Sequence, residues 1–333
     1  MKRLIAEFEE QSFTQIIFPH FNTDWSCCLE EARENFVKII NAIIKYQKCL
    51  VICTDINETK QYFEENNNLY FVEYQSDDCW ARDTSALCVE EDGNIKLLDF
   101  TFNGWGSKFE AKKDNLLTNN ISKNYSKEIV TIDFILEGGG VESNGVDAIL
   151  TTSECMLNKN RNNMLDSIEI TKKLNECFGA TKIHYLDHGY LAGDDTDSHI
   201  DTLARFVDEK TIMYVAPPKD KDDEHFKELT KMQNELKTIA SENNYKLIPL
   251  PFCDSVYFEG ERLPATYANF LFVNGAVLVP VYGVKQDSEA MKIFKDNLVD
   301  RDIVAIDCST LIKQHGSLHC VSMNFAKGVN ITL

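Results

Sequence analysis

The sequence is short of several things, and each shortage closes off a class. It has only 15 glycines and 7 prolines in 333 residues, too few for a collagen-like or low-complexity chain. No run approaches the ~18 consecutive apolar residues that a membrane-spanning helix needs. The first ten residues lack an apolar core, so neither a signal peptide nor a membrane anchor is expected. Basic residues are outnumbered, 34 Lys and Arg against 53 Asp and Glu, for a formal charge of −19. That balance argues against nucleic acid, whose phosphates it would repel, and is compatible with a small cationic substrate drawn by the summed field. The eleven cysteines form no C-x-x-C pair and no framework spacing; Cys27 and Cys28 are adjacent. Such usage predicts reduced thiols and a cytoplasmic protein.

What is present is an ordinary globular composition, 44% hydrophobic and 26% charged, enough to build a core. Apolar spacing predicts helices over Glu30 to Tyr46, Glu58 to Glu65 (capped by Asn57), Met164 to Phe178, Asp223 to Ser241 and Asp287 to Leu298. Gly179 closes the third. Strand pairs recur around short turns: Ser85 to Glu90 with Ile95 to Phe100, Leu203 to Val207 with Thr211 to Ala216, and Phe270 to Val273 with Ala276 to Val281. Further strands are expected at Phe13 to Pro19, Cys49 to Thr54, Tyr70 to Tyr74 and Val146 to Thr151. Hairpins that lead into a helix, repeated at long intervals, suggest stacked α/β units in a propeller-like ring. No Pro/Gly/Ser-rich linker cuts residues 1–333, so a single domain is expected.

Three polar islands stand beside a C-terminal turn. The first is Asp78 to Thr84, with Arg82 and Asp83 just before an apolar strand, where a charge is costly without a partner or ligand; an ion pair fixing a loop is the alternative. The second is Glu137-Gly138-Gly139-Gly140, a carboxylate before permissive backbone, readable as a group aimed at a cation or as a plain turn. The third is Gly193 to Thr202, where extended backbone would point His199 and Asp201 to one side. A metal site on Asp195, Asp197, His199 and Asp201 would lack the mid-loop Gly and terminal Glu of a calcium loop, and His315 with His319 lacks the zinc-hydrolase Glu.

The turn itself is Gln314 to Cys320. A cysteine becomes a nucleophile through a lowered pKa or a base, and His199 can give and take protons near neutral pH. Asp83 and Asp201 suit the forked N–H donors of a guanidinium. His319 would face away from Cys320 in extended backbone. No metal or organic cofactor is called for.

Taken together, W-x-R-D-T at Trp80 to Thr84, Glu137-Gly138-Gly139, H-I-D-x-x-A-R-F at His199 to Phe206 and G-x-x-H-C at Gly316 to Cys320 resemble the agmatine deiminase family of the guanidine-modifying superfamily. The N-terminal loop from Phe18 to Trp25, Leu157 to Arg161, and Tyr267 to Gly283 extend the likeness along the whole chain. The resemblance implies a five-bladed α/β propeller (pentein) around a central pocket, forming one catalytic domain. It implies Cys320 as nucleophile, His199 as acid and base, Asp83 and Asp201 on the guanidinium, and Glu137 orienting His199 or substrate. Trp80 would wall the pocket, with Trp25 as a further substrate contact. Agmatine is the expected substrate, with peptidyl-arginine or free arginine as alternatives and Arg161 the one cation available to a free carboxylate. A non-catalytic scaffold that binds a cationic amine is the alternative of another class. Association into homo-oligomers is common in the family. The chain departs from its pattern at His315-Gly316-Ser317-Leu318 and after the cysteine at Ser322-Met323-Asn324-Phe325.

Overall fold

Five mixed sheets and one two-stranded ribbon account for the strands of this computed structural model, which describes residues 2–333. The sheets share one construction. A hairpin supplies an antiparallel pair, a crossover follows, and a parallel strand closes the unit. Ala204–Asp208 pairs antiparallel with Thr211–Val215, the helix Phe226–Asn243 crosses over, and Lys246–Leu250 returns parallel to Thr211–Val215. Leu271–Val273, Ala276–Val281, the helix Asp287–Asn297 and Asp302–Asp307 repeat the pattern. So do Glu142–Ser143, Ala148–Thr152, the helix Ser167–Phe178 and Lys182–Leu186. In the remaining two sheets the ends of the chain take part. Ser322–Ala326 lies antiparallel to Gln11–Ile17, which runs parallel to Lys48–Cys53 across the helix Leu29–Ile43. Lys2–Leu4 adds an antiparallel edge to Leu87–Glu91, which pairs with Asn94–Thr101 and, beyond it, Ile129–Ile135.

The helices form where apolar spacing and caps agree. Ser167–Phe178 starts later than its apolar pattern, because Asp166 and Glu169 make a capping box; it ends at Gly179 in the left-handed conformation. The second helix is shorter than expected, Ile56–Lys60, and its cap is Asp55 rather than Asn57, the Asp55 carboxylate accepting from the Glu58 N–H. The parallel strands Ile129–Ile135, Lys182–Leu186, Lys246–Leu250 and Asp302–Asp307 escape the periodicity because their exposure does not alternate cleanly. One contiguous cluster of buried side chains runs through all five sheets, from Phe13 and Ile16 to Phe270 and Phe325. No helix among the described residues is long and apolar enough to cross a membrane.

Candidate active site

In each of the five sheets one strand is preceded by a residue of the site. Asp83 precedes Leu87–Glu91, Gly139 precedes Glu142–Ser143, Asp201 precedes Ala204–Asp208, Asn269 precedes Leu271–Val273, and Cys320 precedes Ser322–Ala326. Residues far apart in sequence thus meet through the repeat. Asp83, Asp201 and Cys320 line a cavity of about 220 Å³ whose walls also include Trp80, Trp105 and His199, while Gly139 and Asn269 contact these side chains from behind.

Asp83 stands in a short helical turn, Ala81–Thr84. Its Oδ2 accepts from the Trp105 Nε1–H at 2.9 Å and its Oδ1 from the Gly139 N–H at 2.8 Å. Burial and the neighbouring charge of Asp201 raise its pKa, against the pull of His199 and these two donors. Asp201 is held differently. Burial opposes its charge, but the His319 ring, whose Nδ1 lies 2.7 Å from Oδ2, keeps the carboxyl below its usual range. Its Oδ1 is buried without a hydrogen-bond partner. A carboxylate oxygen left bare in a low-dielectric cavity is costly, and a donor from a bound molecule would relieve it.

His199 and Asp201 converge, but not through extended backbone. Residues Ile200–Thr202 form a 3-10 turn with His199 as its N-cap. His199 Nδ1 lies 3.7 Å from Asp83 Oδ1. Burial disfavours the imidazolium, yet the Asp83 charge, contact with Cys155 and the more remote Glu137 carry its pKa well above the usual value. The Gly run has a steric reason. A Cβ at Gly139 would lie 2.7 Å from His199 Nδ1, 3.0 Å from Asp83 Oδ1 and 3.1 Å from Asp201 Oδ2, so any side chain there would break up the cluster.

Cys320 is half-buried, with Sγ 3.3 Å from Asn269 Nδ2 and 3.9 Å from Asp201 Oδ2. Burial and the two aspartates hold its pKa well above that of a free thiol. The His315-Gly316 lead-in has a structural logic of its own. The Trp80 ring packs where a side chain at position 316 would stand. His315 takes a left-handed backbone (φ 63°) and donates from Nδ1 to the Gly193 carbonyl at 2.6 Å, tying the cysteine turn to the Asp194–Asp195 loop.

Other expected residues are displaced. Trp25 does not reach the cavity: it is fully buried behind Trp80, ring centroids 5.9 Å apart, and its Nε1–H points to Cys79 Sγ at 2.8 Å. Glu137 is also out of the cavity, accepting at both oxygens from Arg161 Nε at 2.9 and 2.8 Å. Glu137, Cys155 and His199 bring one ligand-type atom each within 4.8 Å of one another, but Arg161 already neutralises the carboxylate. Arg161 also spends Nη1 on Asp197 at 2.7 Å, and Asp197 holds Lys108 as well. That pairing removes Asp197 from the alternating metal set and Arg161 from any substrate carboxylate. Arg82 turns away from Asp83 toward Glu7, 3.2 Å off.

Three contributors had no assigned role in the sequence. Asn269 lies in the Tyr267-to-Gly283 block, and its Oδ1 accepts from the His319 N–H at 2.8 Å. Trp105 is flagged only by its flanking glycines, which serve a turn where Trp105 itself has φ 53°. Glu7, from the N-terminal segment, meets His319 Nε2 at 2.5 Å and Arg205 Nη2 at 2.9 Å. His319 is therefore clamped between Asp201 and Glu7, beneath the cavity rather than in it.

The profile of the Porphyromonas-type peptidyl-arginine deiminase family matches residues 3–325. The chain belongs to this family. The chain is 39% identical to a cysteine-to-serine variant of C. jejuni agmatine deiminase solved with substrate bound, covering 98% of this chain and 97% of that one with a TM-score of 0.94. It is 28% identical to the agmatine deiminase of Pseudomonas aeruginosa over 96% of this chain and 94% of that protein. The agmatine deiminase of Enterococcus faecalis, at 24% identity and a TM-score of 0.90 over 98% of this chain and 96% of that one, shares the fold. The mixed-sheet α/β architecture of this peptidyl-arginine deiminase family member is that of the agmatine deiminase structures.

Proposed function

We propose that the protein is an agmatine deiminase, hydrolysing agmatine to N-carbamoylputrescine and ammonia. The observation that carries this reading is the unpartnered Oδ1 of Asp201 in a cavity shared with Asp83 and Cys320. Two buried carboxylates facing one nucleophile make a clamp for a planar, forked cation. Names of relatives support it: agmatine deiminases match over nearly the whole chain.

In this mechanism the guanidinium sits between Asp83 and Asp201, its positive charge offsetting the two carboxylates that keep Cys320 protonated. Substrate binding thereby favours release of the Cys320 proton to solvent. The thiolate attacks the guanidinium carbon. His199, poised as imidazolium, delivers a proton to the departing nitrogen, which leaves as ammonia, and an S-alkylthiouronium remains on Cys320. His199 then takes a proton from water as it attacks the same carbon. The C–S bond breaks, the added hydroxyl gives up its proton to the departing Cys320 sulfur, and the ureido product leaves. Holding carbon and sulfur in line supplies the proximity contribution. Trp80 and Trp105 wall the cavity, and Glu137 acts through Arg161 and His199 rather than on substrate.

Agmatine is favoured over free arginine by the lining itself. Five aspartates (24, 83, 194, 195 and 201) and no lysine or arginine face the cavity, leaving nothing to receive an α-carboxylate. The finer architecture belongs to the same proposal: a five-bladed propeller forming a single domain, one sheet to a blade, in a cytoplasmic enzyme that acts on a small cationic guanidine and associates into homo-oligomers. A panel of agmatine, free arginine and a blocked arginine peptide, scored by ureido product, tests the substrate. Agmatine should give the highest kcat/KM; preference for the blocked peptide or for free arginine overturns this assignment.

A further inference from the structure

Cys27 and Cys28 lie outside the chemistry described above, yet they adjoin the cavity rim. Their sulfurs are 3.3 Å apart. Neighbouring side chains seldom meet in regular structure, but these occupy the joint between the short helix Asp24–Cys27 and the helix Leu29–Ile43, where Cys28 has φ −145° and ψ 41°. Cys27 is the one exposed cysteine among the described residues.

The joint is linked to the cavity in two ways. Gln314, a lining residue, donates from Nε2 to the Asp24 carbonyl at 2.9 Å and contacts Cys27 Sγ at 3.6 Å. Trp25, within the same short helix, backs Trp80, which forms the cavity wall.

We infer that Cys27 and Cys28 form a vicinal dithiol site that reacts with low-molecular-weight disulfides and closes on itself, lowering turnover by deforming the cavity rim. The step is thiol–disulfide exchange. The Cys27 thiolate attacks one sulfur of the small disulfide and expels its partner as a thiolate. Cys28 then loses its proton and attacks the Cys27 sulfur of the mixed disulfide, expelling the second small thiolate. The two cysteines lose two electrons and two protons, and the small disulfide becomes two thiols. Cys27, exposed, is the sulfur an oxidant reaches first; Cys28, half-buried and pushed up to about 11 by burial and its neighbour, is the resolving thiol. Closure draws the sulfurs from 3.3 Å to the ~2.05 Å of a disulfide, at the residue that caps one helix and ends the other.

The activity arm rests on the proposed function, so two other readouts accompany it. Reduced protein is incubated with oxidised glutathione, alkylated, and analysed by peptide mass, tryptophan emission and kcat/KM on agmatine. A Cys27–Cys28 disulfide, altered emission from the Trp25–Trp80 pair and a several-fold loss of kcat/KM, all reversed by dithiothreitol, are expected. Cys27→Ser should keep its starting activity and show none of these changes. A Cys27–Cys28 peptide that stays reduced or stops at a glutathione adduct overturns the inference. So does a disulfide that leaves emission or kcat/KM unchanged, or an equal loss in Cys27→Ser, which would place the oxidation on Cys320. Failure of the reduced enzyme to turn over agmatine strikes the proposed function instead, while mass and emission still decide the dithiol.

Discussion

Replacing Trp105 by Phe removes the indole N–H from the site together with part of the ring that walls the cavity. The Trp105 Nε1–H donates to Asp83 Oδ2 at 2.9 Å, while the ring contacts Phe102 and Phe109 edge to face, contacts a phenyl ring can partly keep. Asp83 already has a raised pKa, from burial first and then from Asp201, and the indole donor is among the groups restraining it. A hydrogen bond to a buried charged group contributes about 1.5–3 kcal/mol. At about 1.36 kcal/mol per pKa unit, its loss should move Asp83 upward by about 1–2 units. If Asp83 must be ionised to hold substrate, the acid limb of kcat/KM for agmatine shifts upward by the same amount and the alkaline limb stays. Stability gives an independent check. A raised folded-state pKa means that stability is lost as pH rises through that pKa. Trp105→Phe should therefore be less stable than the parent at neutral pH, by about 1.5–3 kcal/mol, and the linkage part of the difference should vanish as pH falls through the Asp83 pKa. Urea titrations across pH would measure it. An unmoved acid limb, with activity falling equally at every pH, would refute the reasoning.

Asn269→Ala removes the amide donor to Cys320 and should lower kcat about tenfold with a smaller change in KM, the loss of roughly one hydrogen bond; an unchanged kcat in steady-state assays would dismiss that role. Gly139→Ala forces a methyl into the Asp83, Asp201 and His199 cluster. It should cost on the order of 10²-fold in kcat/KM, as an ångström-scale misplacement does, with the circular dichroism spectrum retained. Arg205→Met leaves the carboxylates of Glu7 and Glu142, 2.9 and 2.7 Å from the guanidinium, buried without that cation, and should destabilise the fold by about 3–5 kcal/mol in urea unfolding.

How far the sequence spoke depends on the kind of information each residue carries. Asp83, His199, Asp201 and Cys320 could be singled out as candidates because each is a chemically distinctive group near a strand, and the structure brings the four to one cavity. Trp25 was misplaced because a tryptophan near a site motif reads the same whether it faces the substrate or supports the one that does. Trp105 and Asn269 were passed over because their contribution is a single N–H whose aim depends on the tertiary arrangement. The same holds for Glu7, which reaches His319 only because the N-terminal segment crosses beneath the site. His319 was set aside as the base from its backbone direction, and the structure adds that its two ring nitrogens are engaged by Asp201 and Glu7. The parallel strands that close four of the sheets lack an alternating pattern, so periodicity passed them over; the fifth, Leu69–Glu73, was expected.

The most direct test of the account is ammonia release from agmatine by the Cys320→Ser variant. A serine hydroxyl retains the shape of the cavity but not a readily ionised sulfur, so no release above the uncatalysed background is expected. Substantial ammonia production by that variant would contradict the assignment of Cys320 as the nucleophile, and with it the mechanism.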